Sequence, residues 1–382
     1  MSACITSDAT RLIRKGVFAT AIAVLLSAVP AFGQDSAIYV QCPDMDNTDP
    51  NVECIHLVGG DGMVRMADGR DMYIFSFAKL DLPGTNGAPG YPAAPGDLSY
   101  ADWTMDNGIL AANAPAPTIT LDEDQELYLT LTNVGMAVRP DLFDAHSVHW
   151  HGFPQASSVF DGVPDASISI NMGASLTYYY QANDAGTYMY HCHVEATEHM
   201  QMGMLGNLWV RPRQNRCPIA ADEPGAGLPG SSCPPGHTEG DKYAYNDGDG
   251  STRYDVEKEI QLGSFDSNFH DASFYVQPLP FAGMRDDYFL INGRGYPDTV
   301  DPGAIETADP LDGSMRPSQP VHSLVTAPPD SRVLLRISNL NVTQFNTLGT
   351  NGPPMQVIAC LLYTSPSPRD KIHDLVCRLL LE

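Results

Sequence analysis

The 382-residue chain is predicted to be an all-β protein built from tandem Greek-key β-sandwich domains. Three observations lead there. Apolar segments of strand length recur between turn signals. No stretch sustains a 3.6-residue hydrophobic period. With 33 Gly and 31 Pro, the composition favours many turns over long helices.

The elements follow in order. Arg11, Arg14 and Lys15 precede an apolar run, Gly16 to Val29, that is too short to span a bilayer. Ala31-Phe32-Gly33 then offers small residues at a cleavage position. Residues 1–33 are therefore expected to be a signal peptide, and the remainder to be periplasmic or secreted with no membrane segment. A first domain is expected over 34–215. Its strands are placed at Met72–Phe77, Thr118–Leu121, Glu126–Asn133, Ser167–Tyr180, Gly186–His191 and Leu205–Val210. Glu126 to Thr132 alternates with period two, as a half-buried strand does.

Residues 216–254 read as a Pro/Gly-rich linker. Its Asn246-Asp-Gly-Asp-Gly-Ser251 run is expected to be a solvated turn, because the downstream acidic ligand of a calcium loop is missing. A partial second domain is expected over 255–359, with strands at Val256–Leu262, Tyr288–Ile291 and Val333–Ser338 and a tight turn at Asn292-Gly293. Its histidines, His270 and His322, lack histidine neighbours and are expected in core or surface roles. At Cys360 the character of the sequence changes. Residues 360–370 resemble one reading frame of a transposon-type sequencing-library adapter, so 360–382 is expected to be a non-native tail, with the natural protein continuing past Ala359.

The formal charge is −25, from 21 Lys+Arg against 46 Asp+Glu. That balance speaks against nucleic acid or an anionic membrane as a partner, and it suits solubility and attraction of cations. Export permits disulfides. Cys42 with Cys54 and Cys217 with Cys233 are the expected pairs, while Cys192, between two histidines, is read as a metal ligand.

The chemistry concentrates between His146 and Met204. Six of the 11 histidines fall there, in His146-Ser-Val-His149-Trp-His151-Gly152 and His191-Cys192-His193 followed by His199. Imidazole, thiolate and thioether together form a ligand set for copper. In a strand, residues i and i+2 share a face. His149 and His151 therefore project together, and so do His191 and His193, with Cys192 turned the other way. One strand can thus serve two metal sites. The thiolate site draws on His146, His199 and Met204, a blue-copper arrangement. Zinc is the alternative metal for a Cys/His set, although it needs neither so many histidines nor a thioether. Met200, Met202 and Met204 suit Cu(I) but equally suit core packing.

These motifs resemble those of the multicopper oxidases, which are built from cupredoxin domains. The resemblance covers roughly Ala114 to Pro212 and, more weakly, Tyr288 to Pro297 and Arg332 to Leu340. It implies type 1 copper ligands at His146, Cys192, His199 and Met204. It implies a type 2 ligand at His149 and type 3 ligands at His151, His191 and His193. Asp161-Gly-Val-Pro164 resembles the segment whose acid helps deliver protons to oxygen, which makes Asp161 a candidate catalytic residue; a turn-forming Asp-Gly is the other reading. The implied activity is laccase-like, with one-electron oxidation of a phenol or metal ion coupled to reduction of oxygen to water.

Two features set the chain apart from three-domain laccases. The His-Cys-His motif lies in the first domain, as in two-domain laccase-like oxidases that assemble as trimers. The family's cluster takes eight histidines, four from each of two domains, and this chain supplies four. Oxidase activity is therefore expected only of a longer protein. Copper nitrite reductase is the enzyme alternative, though it lacks a histidine after the type 1 cysteine. A periplasmic copper-binding or electron-transfer protein is the non-enzyme alternative.

Overall fold

The structure, a computed structural model, describes residues 38–91, 98–152, 157–360 and 377–381. The expected signal peptide and residues 361–376 of the expected tail lie outside them. All described residues except Leu98 belong to one compact unit.

The expected all-β class holds. The first eight strands are β1 (Val52–Arg65), β2 (Asp71–Leu80), β3 (Ile119–Asp122), β4 (Glu126–Gly135), β5 (His149–His151), β6 (Ser175–Gln181), β7 (Gly186–His191) and β8 (Leu205–Arg211). They form two four-stranded sheets, β2-β1-β4-β6 and β3-β8-β7-β5. Leu57, Phe75, Leu129, Tyr178, Tyr190 and Leu208 are buried in one hydrophobic cluster, and Cys192 and Met204 belong to it. Each such large apolar side chain contributes about 1.5–3 kcal/mol when fully buried. The candidate ligands therefore sit within the main stabilising core.

β4 follows the expected period-two pattern only at its start, and its last seven residues are all buried. The cause is a second cover. Helix α1 (Ser99–Gly108) lies on the far face, where Trp103 and Met105 pack on Val58, Leu80 and Val134. β1 escaped the sequence pattern because Gly59-Gly60-Asp61-Gly62 interrupts its apolar run. It is nonetheless central, antiparallel to β2 and parallel to β4. Asp61 is buried there, accepting from Tyr73 Oη at 2.8 Å and from the backbone N–H groups of Ala137 and Val138 at 2.9 and 2.8 Å.

The strand expected over Ser167–Tyr180 is shorter, beginning at Ser175. A turn closed by Ala174 N–H on Asn171 O (3.0 Å), with Gly173 at φ +78°, breaks it. Before that turn Ile170 makes an isolated bridge to His146.

The remaining strands are β9 (Lys242–Tyr243), β10 (Arg253–Tyr254), β11 (Val256–Phe265), β12 (Tyr288–Ile291), β13 (Ile305–Ala308), β14 (Met315–Gln319), β15 (Val333–Asn339), β16 (Met355–Cys360) and β17 (Cys377–Leu381). β12-β11-β15-β17-β16 form one sheet, and β9–β10 and β13–β14 are separate pairs. The Asn292-Gly293 turn forms as expected, both residues at positive φ and Ile291 paired with Arg294. The Asp/Gly run of the linker is also a turn. The Asp247 carboxylate accepts from Gln214 Nε2, Gly250 N, Thr252 N and Thr252 Oγ1, all within 2.9 Å. Its lone pairs are thereby committed to the protein.

Both expected disulfides are present, and Cys192 is free and buried. Among the described residues no helix is long and apolar enough to cross a membrane. Two short helices flank the copper-type residues: α2 (Ala196–Met202) and α3 (Ser267–Phe274). His270 of α3 is fully buried, its Nδ1 2.5 Å from Tyr73 O and its Nε2 3.1 Å from Gln201 O. It has the core role foreseen for it.

Candidate metal centre

The strand-parity argument predicts two donor sets, and the structure brings two together. In the first, one donor atom from each of His146, Cys192 and His199 lies within 4.8 Å of the others, and all three residues are buried. His199 Nδ1 is 3.1 Å from Cys192 Sγ, and His146 Nδ1 is 4.0 Å from it. His146 precedes β5, Cys192 follows β7, and His199 comes from α2, which the chain enters through Glu195 in a left-handed conformation (φ +46°). Met204 ends the same segment. Its Cε lies 3.4 Å from the point where a Cβ on Gly59 would stand, and His146 Cδ2 lies 2.9 Å from that point. Gly59 thus leaves room for the imidazole and the thioether side by side.

The surroundings suit a cation. Burial, then the neighbouring His199, holds His146 well below the usual imidazole range. At His199 burial also disfavours the charge, but negative charge on Cys192 and Asp144 outweighs it and holds the imidazole up to about 10. A bound metal would take the place of that proton. The Nε2 atoms of both histidines are buried without a hydrogen-bond partner, Asp144 Oδ2 standing 3.8 Å from that of His199. Ser147 N–H lies 3.4 Å from Cys192 Sγ and donates to it. This mixed soft and borderline donor set fits copper.

The second set is built across the β5–β7 ladder, where His149 stands directly opposite His191. Donor atoms of His149, His151 and His191 converge within 4.8 Å. His193 joins through ring contacts, 4.9 Å between centroids to His149 and 5.6 Å to His191. His191 Nδ1 donates to Cys192 O at 2.8 Å, which directs its Nε2 toward the cluster. Burial pushes His191 down to about 3, so it is neutral and able to bind a metal. His149 Nδ1 donates to Asp161 O at 2.6 Å, and the Asp161 carboxylate stands 3.5 Å from the same nitrogen.

The geometry at Asp161 matches the turn reading of its motif. It does form a turn: Gly162 has φ +76°, and a Cβ there would meet Val148 O at 2.1 Å. The turn is what brings the Asp161 carbonyl to His149.

Comparison with known proteins agrees with this geometry. The family model for multicopper oxidases matches residues 99–215. Multicopper oxidase MCE of Talaromyces pinophilus is 36% identical over 103 residues, covering 26% of this chain and 16% of its own. Residues 99–215 are thus similar to a multicopper oxidase domain. The L-ascorbate oxidase of Cucumis sativus is 31% identical over 135 residues, 33% of this chain and 22% of its own. The chain therefore matches less than a quarter of the length of these curated relatives. A crystal structure of a multi-copper oxidase from Pseudomonas Thermotolerans shares the fold, with TM-score 0.50 and 16% identity over 86% of this chain and 58% of that one. The fold is that of tandem cupredoxin-like sandwiches.

All eight candidate ligands and Asp161 fall inside the matched span, residues 99–215. Several residues that act on them escaped the sequence reading. Asp144 stands beside His199, Ser147 donates to Cys192 and accepts from His193 N–H at 3.2 Å, and Gly59 comes from β1, outside the matched span. Ser147, adjacent to His146, carried the one local signal. Beside His199 a cleft of about 380 Å³ is lined by Arg139, Leu142, Asp144, Glu195, Glu198 and Phe281.

Proposed function

We propose that the chain is the copper-bearing part of an exported multicopper oxidase that oxidises a phenolic or metal-ion substrate one electron at a time and reduces oxygen to water. His146, Cys192 and His199, with Met204, would hold type 1 copper. His149 would bind type 2 copper, and His151, His191 and His193 the type 3 pair. Copper, when bound, supplies the one-electron chemistry and the reduction of oxygen. What carries the reading is one juxtaposition: Cys192 turns into one donor set while His191, its chain neighbour, turns into the other. A single peptide link separates them, a short covalent route for electrons.

The chain's own residues do the rest. The cleft beside His199, with Asp144, Glu195 and Glu198, receives the reductant. Asp161 orients His149 through its carbonyl and offers its carboxylate for proton delivery. We propose the division 34–215, 216–254 and 255–359 for domain one, linker and partial domain two. Four further histidines from a second domain complete the cluster, and a homotrimer is the proposed assembly.

The test is oxygen uptake by the protein of the full-length gene, with a phenol or Cu(I) as reductant and nitrite consumption run alongside. Oxygen uptake supports the oxidase. Nitrite consumption without it favours the reductase reading, and neither favours an electron-transfer protein. A complete gene lacking a second group of His-x-His motifs would defeat the oxidase reading.

A further inference from the structure

We propose that Asn133, with Gly59 as its partner in β1, is a positioning residue that sets His146 for the copper. The inference rests on the reading of His146 as a ligand. His146 lies outside regular structure, and among the described residues its sheet-like anchor is the bridge to Ile170, with His146 N–H on Ile170 O at 3.0 Å and Ile170 N–H on His146 O at 2.8 Å. Such a segment has little of its own to fix it.

Asn133, near the end of β4, supplies what is missing. Its side chain is fully buried. Its Nδ2 donates to Asp144 O at 2.8 Å and to Ile170 O at 2.9 Å. One acceptor lies two residues before His146; the other is the carbonyl that His146 N–H already uses. A carbonyl has two lone pairs, so Ile170 O can take both donors. Asn133 Oδ1 accepts from Gly135 N at 2.9 Å, which uses the remaining end of the amide. Its backbone is tied to the turn before β6, through Ala174 O at 3.0 Å and Gly173 N at 2.8 Å.

Gly59 pairs with Asn133 in the β1–β4 register, at the point where that register shifts. A side chain at Gly59 would press on the His146 ring, as its 2.9 Å approach to Cδ2 shows. Asn133 thus holds the backbone on both sides of the ligand while Gly59 leaves space for the ring.

The experiment compares Asn133→Ser and Gly59→Ala in the full chain with two references. Thr130→Val, on the same strand as Asn133, removes the hydrogen bond between the Thr130 and Thr177 hydroxyls at 2.7 Å. His146→Ala removes the ligand. The readouts are copper affinity, the thiolate-to-copper absorption band, the reduction potential, and hydrogen exchange of the His146 and Ile170 amides in metal-free protein. We expect Asn133→Ser to weaken copper binding by about tenfold or more, to shift band and potential, and to speed exchange of both amides. Gly59→Ala should shift the band, and Thr130→Val should move none of these. Parental affinity, band and amide exchange in Asn133→Ser overturn the proposal, as does an equal change in Thr130→Val. Should Asn133→Ser fail to fold, Gly59→Ala decides alone, and an unshifted band overturns it. If His146→Ala keeps the parental band, the ligand reading fails instead, and amide exchange still scores the clamp.

Discussion

His151 Nε2 faces His191 Nε2 at 2.8 Å across the antiparallel β5–β7 pair. His191 spends its Nδ1 proton on Cys192 O, so its neutral form presents a bare lone pair to His151. Converging imidazole nitrogens of this kind are how a protein prepares a metal seat. His191→Ala should therefore empty the second donor set and leave the first intact. Copper per chain should fall while the thiolate-to-copper band persists. Loss of the band in this variant would refute the separation of the two sets.

Cys192→Ser makes the complementary prediction. The hydroxyl is a poor copper ligand, and Cys192 is the thiol of the His146–Cys192–His199 group. The band should vanish and about one copper per chain should be lost, while copper at the histidine-only set remains. Metal analysis with absorption spectroscopy checks both; a band that survives would assign it to a different thiolate.

The parity of the His-Cys-His motif was legible because it depends on a period of two and nothing distant. The rest of the centre depends on contacts far apart in sequence. Gly59 reaches His146 across 87 positions, and nothing local in a Gly-Gly-Asp-Gly stretch announces that a strand passes there. Helix α2, of seven residues, is too short for a periodic signal and is held by packing in the core. The shortened β6 has a similar cause: apolar residues before Ser175 extend the pattern, but Ile170 is apolar because it is buried beside His146, not because it lies in the strand.

His56 gives the protein an acid-sensitive core. It is fully buried between α1 and β4, with Nδ1 2.7 Å from Tyr100 Oη and Nε2 2.8 Å from Thr132 Oγ1. Burial pushes its imidazole from 6.5 down to about 3. Below pH 6.5 the unfolded chain takes up a proton that the native protein refuses until about pH 3. Stability from this group is therefore complete above 6.5 and falls as the pH drops toward 3, by at most about 5 kcal/mol. His56→Gln should be less stable near neutrality, by roughly 1–3 kcal/mol for the disturbed hydrogen bonds, but flatter toward acid. Urea midpoints between about pH 4 and 8 decide it; equal slopes for both proteins would rule the histidine out.

Glu257 joins the two halves of the fold electrostatically. Its carboxylate accepts from Arg336 Nε of β15 at 3.0 Å and from an Arg211 N–H of β8 at 2.7 Å. Burial alone would raise its pKa, but the two guanidinium groups outweigh that and hold it down to about 2. Arg336 is fully buried, and its guanidinium lies 5.0 Å from the Trp209 ring centroid. Glu257→Gln leaves that charge without its counterion in a dry site, a loss of about 3–5 kcal/mol. Adding Arg336→Met removes the stranded charge and should restore much of the loss, because an apolar side chain can fill the same space. Denaturant titration of the two variants checks the pair. A Glu257→Gln protein within about 1 kcal/mol of the parent would mean that water or Thr187, 3.2 Å from Arg336 through Oγ1, already carries the charge.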